Sequence, residues 1–425
     1  MIKDRYSEIT DWLFRQLPMY QRTGGANYKI DLEKTHQLME VLGHPEKDLT
    51  CIHVAGTNGK GSVSHMLASI FQEAGYRTGL YTSPHLVDFR ERIRVNGITI
   101  SEDEVVDFVD RYKEDFERLS LSFFEMTVGM AFWHFRAMGT EMAIIEVGMG
   151  GRLDSTNVVT PEISVITNIG LDHTAFLGPD RPSIAKEKAG IIKRGIPVVI
   201  GERDDETRGV FESIARNVNS KLSYAEDFEV PDLVSDLKGG YQRLNIRTVW
   251  ATLQNLKEWK IPMKSILSGL GKVRTNTGLR GRWDLLWDAG PTVIADTGHN
   301  SEGLMEVVDH LKKVPHNRLL FVIGMVNDKD RSSVLDLLPR EARYFVTQPS
   351  IPRACPVEEL HREIREKELS ANMFSTVKEA VIQAIVEAGH DDLIFVGGST
   401  FVVADLLAVE DEVISLLSSK GPIGS

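Results

Sequence analysis

Ile52-His53-Val54-Ala55-Gly56-Thr57-Asn58-Gly59-Lys60-Gly61-Ser62 is the stretch whose reading decides the fold. An apolar strand runs into a glycine-rich turn, then a lysine, then a hydroxyl, then an apolar helix. That order builds a nest of backbone N–H groups at a helix N-terminus, a place to hold phosphate. Glycines let the backbone curl close to an anion. Gly56, Thr57, Asn58, Gly59, Lys60, Gly61 and Ser62 are thus the candidate phosphate loop. Lys60 would reach terminal phosphates and the Ser62 hydroxyl would face a Mg²⁺. The spacing reads G-x-x-G-K-G-S, with Gly61 between lysine and hydroxyl, rather than GxxxxGK[ST]. A turn used for packing alone is the plain alternative; Lys60 and Ser62 argue against it.

Outward from the loop, Val63, Met66, Leu67, Ile70, Phe71 and Ala74 fall on one helical face, and Gly75 ends the helix. A strand follows over 78–82. Ser101 with Glu104 reads as a capping box opening another helix. A helix over 123–138 leads to a buried strand, 142–147, then a strand over 163–167, a helix over 184–192 and a strand at 198–200. Short apolar strands alternating with amphipathic helices imply a mostly parallel sheet covered on both faces. The pattern weakens over 220–240 and returns as a helix over 241–259. The segment 274–282 lacks periodicity and is the candidate interdomain connection. Alternation then restarts from 292 to 396 as a second, smaller α/β unit. The expected architecture is a P-loop-type α/β domain over 1–280 and a smaller Rossmann-like α/β domain over 281–425.

The length, 425 residues, favours two domains. The net charge of −12, from 49 basic and 61 acidic residues, argues against nucleic-acid or membrane partners. Two cysteines, Cys51 and Cys355, make a disulfide framework implausible and a reducing cytoplasm the expected compartment. No signal-peptide core or bilayer-length apolar run is read. Residues 421–425 are read as a tail without a role.

Further motifs sit beyond strands. Glu146 interrupts an apolar strand near its C-terminal end, before Val147-Gly148-Met149-Gly150-Gly151. A carboxylate there suits Mg²⁺ beside phosphates, or is satisfied by an arginine or the N–H groups of the glycine turn. His173, in Thr167-Asn168-Ile169-Gly170-Leu171-Asp172-His173, is a metal ligand or a structural hydrogen-bonding group. Lys186-Glu187-Lys188 on a helix reads as a solvated charged face. Arg280-Gly281-Arg282-Trp283 and Asp296-Thr297-Gly298-His299-Asn300 mark the connection and the first strand end of the second domain; Arg282 would bridge to a nucleotide held between domains.

Taken together, these motifs resemble the folylpolyglutamate synthase and dihydrofolate synthase family, within the wider Mur ligase group. The resemblance spans most of the chain: Tyr28-Lys29-Ile30-Asp31-Leu32, HVAGTNGKGS at 53–62, Thr82-Ser83-Pro84-His85-Leu86, Glu91-Arg92-Ile93-Arg94-Val95-Asn96-Gly97, and the Glu146, TNIGLDH and EKAGI segments in order. Two departures occur. Asp296-Thr297-Gly298-His299-Asn300 stands where DGAHN is common, and Gly324-Met325-Val326-Asn327-Asp328-Lys329-Asp330 where GALGDKD is common.

The resemblance implies an amide-forming ligase that uses ATP, two Mg²⁺ ions, L-glutamate and dihydropteroate or folate, and works as a monomer. It implies metal-site roles for Ser62, Ser83, Glu146 and His173, and for Lys188 as a carbamate. Lys60, Glu146, His173 and Lys188 become the candidate catalytic set. Asn245, Arg282 and Asp296 are implied around the nucleotide. Ser122, Phe123, Phe124, Glu125, Leu153, Asp154 and Ser155 are implied at the pterin-bearing substrate, although core packing is the plain reading for one of the two phenylalanines. His299 is the candidate glutamate residue. Alternatives are a folylpolyglutamate-only synthase, a cell-wall Mur ligase, and a GTPase-like switch. The Mur ligase is disfavoured by TSPHL. The GTPase would need N-K-x-D, and Asn327-Asp328-Lys329-Asp330 has the wrong order.

Overall fold

The structure, a computed structural model, describes residues 2–16, 31–327 and 331–419. Tyr28 to Ile30 of the first motif, Asp328 to Asp330 and the tail 421–425 lie outside the described residues.

One compact unit holds the chain up to Asp236 together with Gln242–Leu279. Its strands are β1 (Cys51–Ala55), β2 (Thr78–Tyr81), β3 (Ile93–Val95), β4 (Ile98–Thr99), β5 (Met142–Glu146), β6 (Ile163–Ile166), β7 (Val198–Ile200) and β8 (Leu222–Tyr224). They form one sheet in the order β4-β3-β2-β5-β1-β6-β7-β8. β1 pairs in parallel with β5 on one side and β6 on the other. Only the β2–β3 and β3–β4 pairs are antiparallel. β1, β2, β5, β6 and β7 are buried along their whole length, as strands covered on both faces must be. The chain leaves β1 for β2, comes back to place β5 beside β1, then crosses to β6. The loops after β1, β5 and β6 therefore meet where the strand order reverses, the place where open α/β sheets bind ligands.

Helices cover the sheet as the apolar periodicity demands. The helix Lys60–Glu73 buries Val63, Met66, Leu67, Ile70 and Phe71. Glu102–Leu119 opens on the expected capping box, with the Ser101 side chain accepting from Glu104 N and the Glu104 side chain accepting from Ser101 N. One aromatic-rich core cluster joins Phe89, Phe108, Phe116, Phe123, Phe132 and Phe135. The helix read over 184–192 is Arg181–Lys188, tightening to a 3₁₀ turn at Ala189–Ile191. The helix read over 241–259 runs Gln242–Asn255. The segment read as aperiodic contains a short helix, Val273–Thr277.

The second unit comprises Leu237–Tyr241 and the chain from Arg280 onward. Its sheet has the order β13-β12-β11-β14-β10-β9, with β9 (Asp284–Trp287), β10 (Thr292–Ala295), β11 (Leu319–Ile323), β12 (Arg343–Val346), β13 (Ser370–Met373) and β14 (Leu393–Gly397). Only β9 runs antiparallel, against β10. No described helix is long and apolar enough to cross a membrane.

Candidate active site

The glycine-rich loop after β1 is shaped by its neighbour after β6. Gly56 has φ of 146°, and a Cβ there would lie 1.8 Å from Thr167 Oγ1, so only glycine fits. Thr167 Oγ1 donates to Asn58 O (2.6 Å), and Asn168 Oδ1 accepts from Asn58 N (2.8 Å). Thr57 N donates to Asn168 O (3.0 Å), and Thr57 Oγ1 accepts from Gly170 N (2.9 Å). Gly59, in the left-handed region, starts the helix Lys60–Glu73, whose first intrahelical bond is Val63 N to Gly59 O. The earlier amides of that helix point at the loop with no intrahelical acceptor.

Two amines converge on one carbonyl. Lys60 Nζ donates to Gly56 O (2.9 Å) and Thr57 O (3.0 Å), and Lys188 Nζ donates to the same Gly56 O (2.8 Å). Lys188 is buried, not part of a solvated face. Burial, helped by the Lys60 charge and opposed by Asp172 and Asp154, lowers its pKa from 10.5 to about 7. The Ser62 hydroxyl accepts from Gln242 Nε2 (3.3 Å), and Gln242 Oε1 accepts from Asn245 Nδ2 (2.8 Å). Asn245 Oδ1 lies against Gly59, so the helix Gln242–Asn255 backs the loop.

Glu146 ends β5, buried, and its Oε2 accepts from Ser83 N (3.0 Å), just beyond β2. His173 has φ of 52°, caps the short helix Thr174–Leu177, and has its own N–H on Asp172 Oδ1 (2.8 Å). Among the described residues, no three His, Cys, Asp or Glu side chains gather as a preformed metal site. That fits Mg²⁺ beside a nucleotide, which takes one or two carboxylates and completes its shell with phosphate oxygens and water. Ser62 and Glu146 supply oxygen donors of that kind.

Among the residues expected at the pterin-bearing substrate, Ser122 and Glu125 form a capping box for the helix Phe123–Ala137. Phe123 is only 4% exposed and stacks on Phe14 (5.4 Å between centroids), so its ring is spent in the core. Phe124 is half-buried and lies over the turn after β5: a Cβ on Gly148 would sit 2.4 Å from Phe124 Cζ and 3.2 Å from Asp154 Oδ2. Asp154 is buried; its carboxylate accepts from Met149 N (2.9 Å) and from Thr156 N and Oγ1 (3.0 and 2.5 Å). Burial raises its pKa. Thr156 Oγ1 also meets His53 Nε2 (2.8 Å). Leu153 is half-buried and Ser155 buried in the same turn.

In the second unit, the Asp296 carboxylate accepts from Trp283 N (2.7 Å), Tyr241 Oη (2.9 Å) and Gly298 N (2.8 Å). It holds the turn after β10. Arg282 donates to Thr297 Oγ1 and to Gly281 O. His299 Nδ1 donates to Thr297 O (2.9 Å), since a carbonyl only accepts.

The Mur ligase middle domain matches residues 54–264, and the glutamate ligase domain of Mur ligases matches 281–400. The dihydrofolate synthase/folylpolyglutamate synthase of Bacillus subtilis (strain 168) is 32% identical, over 94% of this chain and 98% of its own. The chain belongs to the folylpolyglutamate synthase and dihydrofolate synthase family. The solved structure of E. coli FolC in complex with DHPP and ADP is 30% identical and superposes with a TM-score of 0.83, covering 95% of this chain and 98% of that one. A bifunctional folylpolyglutamate synthase/dihydrofolate synthase with Mn, AMPPNP and L-glutamate bound matches equally, at 30% identity and TM-score 0.83 over 94% and 97%.

In this member of the synthase family, the loop residues Gly56 to Ser62, Lys188 and Asn245 meet at the end of β1. Glu146 and Ser83 meet at the ends of β5 and β2. Arg282, Asp296 and His299 lie in the second unit, bonded to its own turn. Thr167 and Asn168 stand in the quoted TNIGLDH segment without a role of their own, and Gln242 stands outside every motif. Thr167 and Asn168 directly follow β6, beside β1, and Gln242 stands one helical turn before Asn245; those positions are the signal that would have found them.

Proposed function

We propose that this chain joins L-glutamate to a carboxylate of dihydropteroate, of tetrahydrofolate polyglutamates, or of both, converting ATP to ADP and phosphate. The observation that carries this reading is the meeting of Lys60, Lys188 and the loop amides beside the Glu146–Ser83 pair, in a family whose members bind ADP, L-glutamate and a divalent ion.

A carboxylate is a poor acylating agent because its leaving group would be oxide. A substrate carboxylate oxygen attacks the γ-phosphorus, the bond to ADP breaks, and an acyl phosphate forms. The glutamate amine then attacks the acyl carbon, loses a proton, and phosphate leaves as the amide forms. Little covalent work is left to the protein beyond positioning and neutralising charge. Lys60 would leave its carbonyl partners for the β- and γ-phosphates. Gly56 to Ser62 would cradle the phosphates, and Asn245 would support the loop at Gly59. Ser62, Ser83, Glu146 and His173 would hold Mg²⁺, which supplies further charge neutralisation on the transferring phosphoryl group. Lys188, with its pKa near 7, has a neutral amine at hand to attack CO₂. The N–C bond forms, a proton leaves, and a carbamate anion takes the amine's place. Phe124, Leu153, Asp154 and Ser155 would receive the pterin-bearing substrate. Residues 1–280 would bind ATP and that substrate, and residues 281–425, through His299, the glutamate.

The test is a glutamate-incorporation assay with dihydropteroate and tetrahydrofolate, following ADP and phosphate. Positional isotope exchange in ATP that requires the acyl substrate supports the acyl phosphate. Pyrophosphate as product sinks it.

A further inference from the structure

The residues after Thr167 clamp the first half of the glycine-rich loop. Asn168 O accepts from Thr57 N (3.0 Å), and Asn168 Oδ1 accepts from Asn58 N (2.8 Å). Gly170 N donates to Thr57 Oγ1 (2.9 Å), which in turn donates to Gly170 O (3.2 Å). Two of the loop's amides are thereby committed to the clamp, leaving those at the start of the helix Lys60–Glu73 for a phosphate. Ile169 lies between the two gripping residues and makes none of these bonds. Its carbonyl accepts instead from Arg181 Nε (3.1 Å) and Nη2 (2.9 Å).

Arg181 supplies both donors that Ile169 O receives among the described residues. A carbonyl has two lone pairs, so one guanidinium edge satisfies it fully. Ile169 is buried, and without Arg181 its carbonyl is an acceptor with no partner at the middle of the clamp. Arg181 also meets Asp204 (3.0 Å) and Glu206 (3.4 Å). Those acidic side chains are 30% and 51% exposed, and ion pairs as open as that contribute little. The grip on the carbonyl is what this arginine adds. Its place in the chain extends the effect. Arg181 opens the helix Arg181–Lys188, and Lys188 closes it with Nζ on Gly56 O (2.8 Å). At about 1.5 Å per residue, roughly 10 Å of helix separates the two. One helix is thus tied at its start to the clamp on Thr57 and Asn58, and at its end to Gly56.

We propose that Arg181 is a positioning residue for the nucleotide. It fixes the clamp 168–170, and through it the course of the loop from Gly56 to Asn58, so that the amides after Gly59 meet the phosphates already aligned. The proposal rests on the reading above only where that reading places a nucleotide at this loop.

The experiment measures ADP binding by calorimetry, without turnover, in wild type, Arg181→Ala, Arg181→Lys and the double variant Asp204→Asn with Glu206→Gln. Lysine keeps the charge toward Asp204 and Glu206 but offers a point donor in place of the fork. The double variant removes both ion pairs, and asparagine still caps the helix Asp205–Asn217. Arg181→Ala should weaken ADP about 10- to 100-fold, the span of a lost charged hydrogen bond. Arg181→Lys should fall between it and wild type, and the double variant should stay within about twofold of wild type. Ethylguanidinium should restore part of the affinity of Arg181→Ala. Guanidinium salts loosen folded proteins, so such a gain marks the grip rather than stability. ADP affinity within about twofold of wild type in both arginine variants shows that the clamp stands without Arg181, and overturns the proposal. Equal losses in Arg181→Ala and the double variant assign the effect to the ion pairs, and overturn it too. Should Arg181→Ala fail to melt cooperatively, Arg181→Lys against the double variant decides by the same comparison. Wild type that binds ADP but couples no glutamate sinks the ligase reading and leaves this one standing; wild type that binds no ADP overturns both.

Discussion

Lys188 shows how one side chain carries opposite demands. Its folded pKa near 7 lies below the ordinary 10.5, so between those values the unfolded chain holds the extra proton and stability rises with pH. Below about pH 7 the destabilisation is present in full. Lys188→Met should therefore leave the thermal midpoint at pH 6 unchanged or raise it, while glutamate incorporation falls by about 100-fold or more. In enzyme stripped of CO₂, activity should return faster at pH 8 than at pH 6 when the dissolved CO₂ concentration is held equal, because only the neutral amine reacts with CO₂. Equal rates at the two pH values would remove the carbamate from the account. The neighbouring phenylalanines part in the same way. Phe123→Ala empties a core position and should cost about 3–5 kcal/mol in denaturant unfolding. Phe124→Ala should instead raise KM for the pterin substrate with a smaller stability loss.

At the scale of elements, Ser122 and Glu125 are first of all a helix start. Ser122→Ala should cost about 1 kcal/mol of stability, and Ser122→Asp, which caps as well, should restore it. Activity that tracks stability through both variants marks the pair as a cap; activity lost in both marks a substrate contact. The strands buried on both faces were readable because their apolar runs are unbroken, as in Met142-Ala143-Ile144-Ile145. β13, Ser370-Ala371-Asn372-Met373, was not: it lies at a sheet edge, largely exposed, and so carries no apolar signal. β9, the antiparallel edge, was missed for the same reason, its pattern running from buried Asp284 to exposed Leu285. The glycine-rich turn from strand to helix was visible because glycine, lysine and hydroxyl are contiguous. Its supports were not, because Thr167, Asn168 and Gln242 reach it only through the fold.

Over the whole molecule, metal dependence should separate from stability. Since no described carboxylate cluster needs a cation to hold it together, chelation should abolish glutamate incorporation, restored by Mg²⁺, while leaving the melting temperature of the nucleotide-free protein unchanged. A large melting shift on chelation alone would point to a structural ion. The chain also passes from one unit to the other more than once: Leu237–Tyr241 belongs with the second, and Gln242–Leu279 returns to the first.

That return has a consequence for the order in which the chain is made. The hydrogen bond from Gln242 to Ser62 spans 180 residues. At about 5–20 residues added per second, the phosphate loop would leave the ribosome roughly ten to forty seconds before the helix that backs it. Through that interval the nascent chain has β1 and its lysine but no support behind Gly59. A chain stopped at Asp236 would lack the contacts of Gln242 with Ser62 and of Asn245 with Gly59.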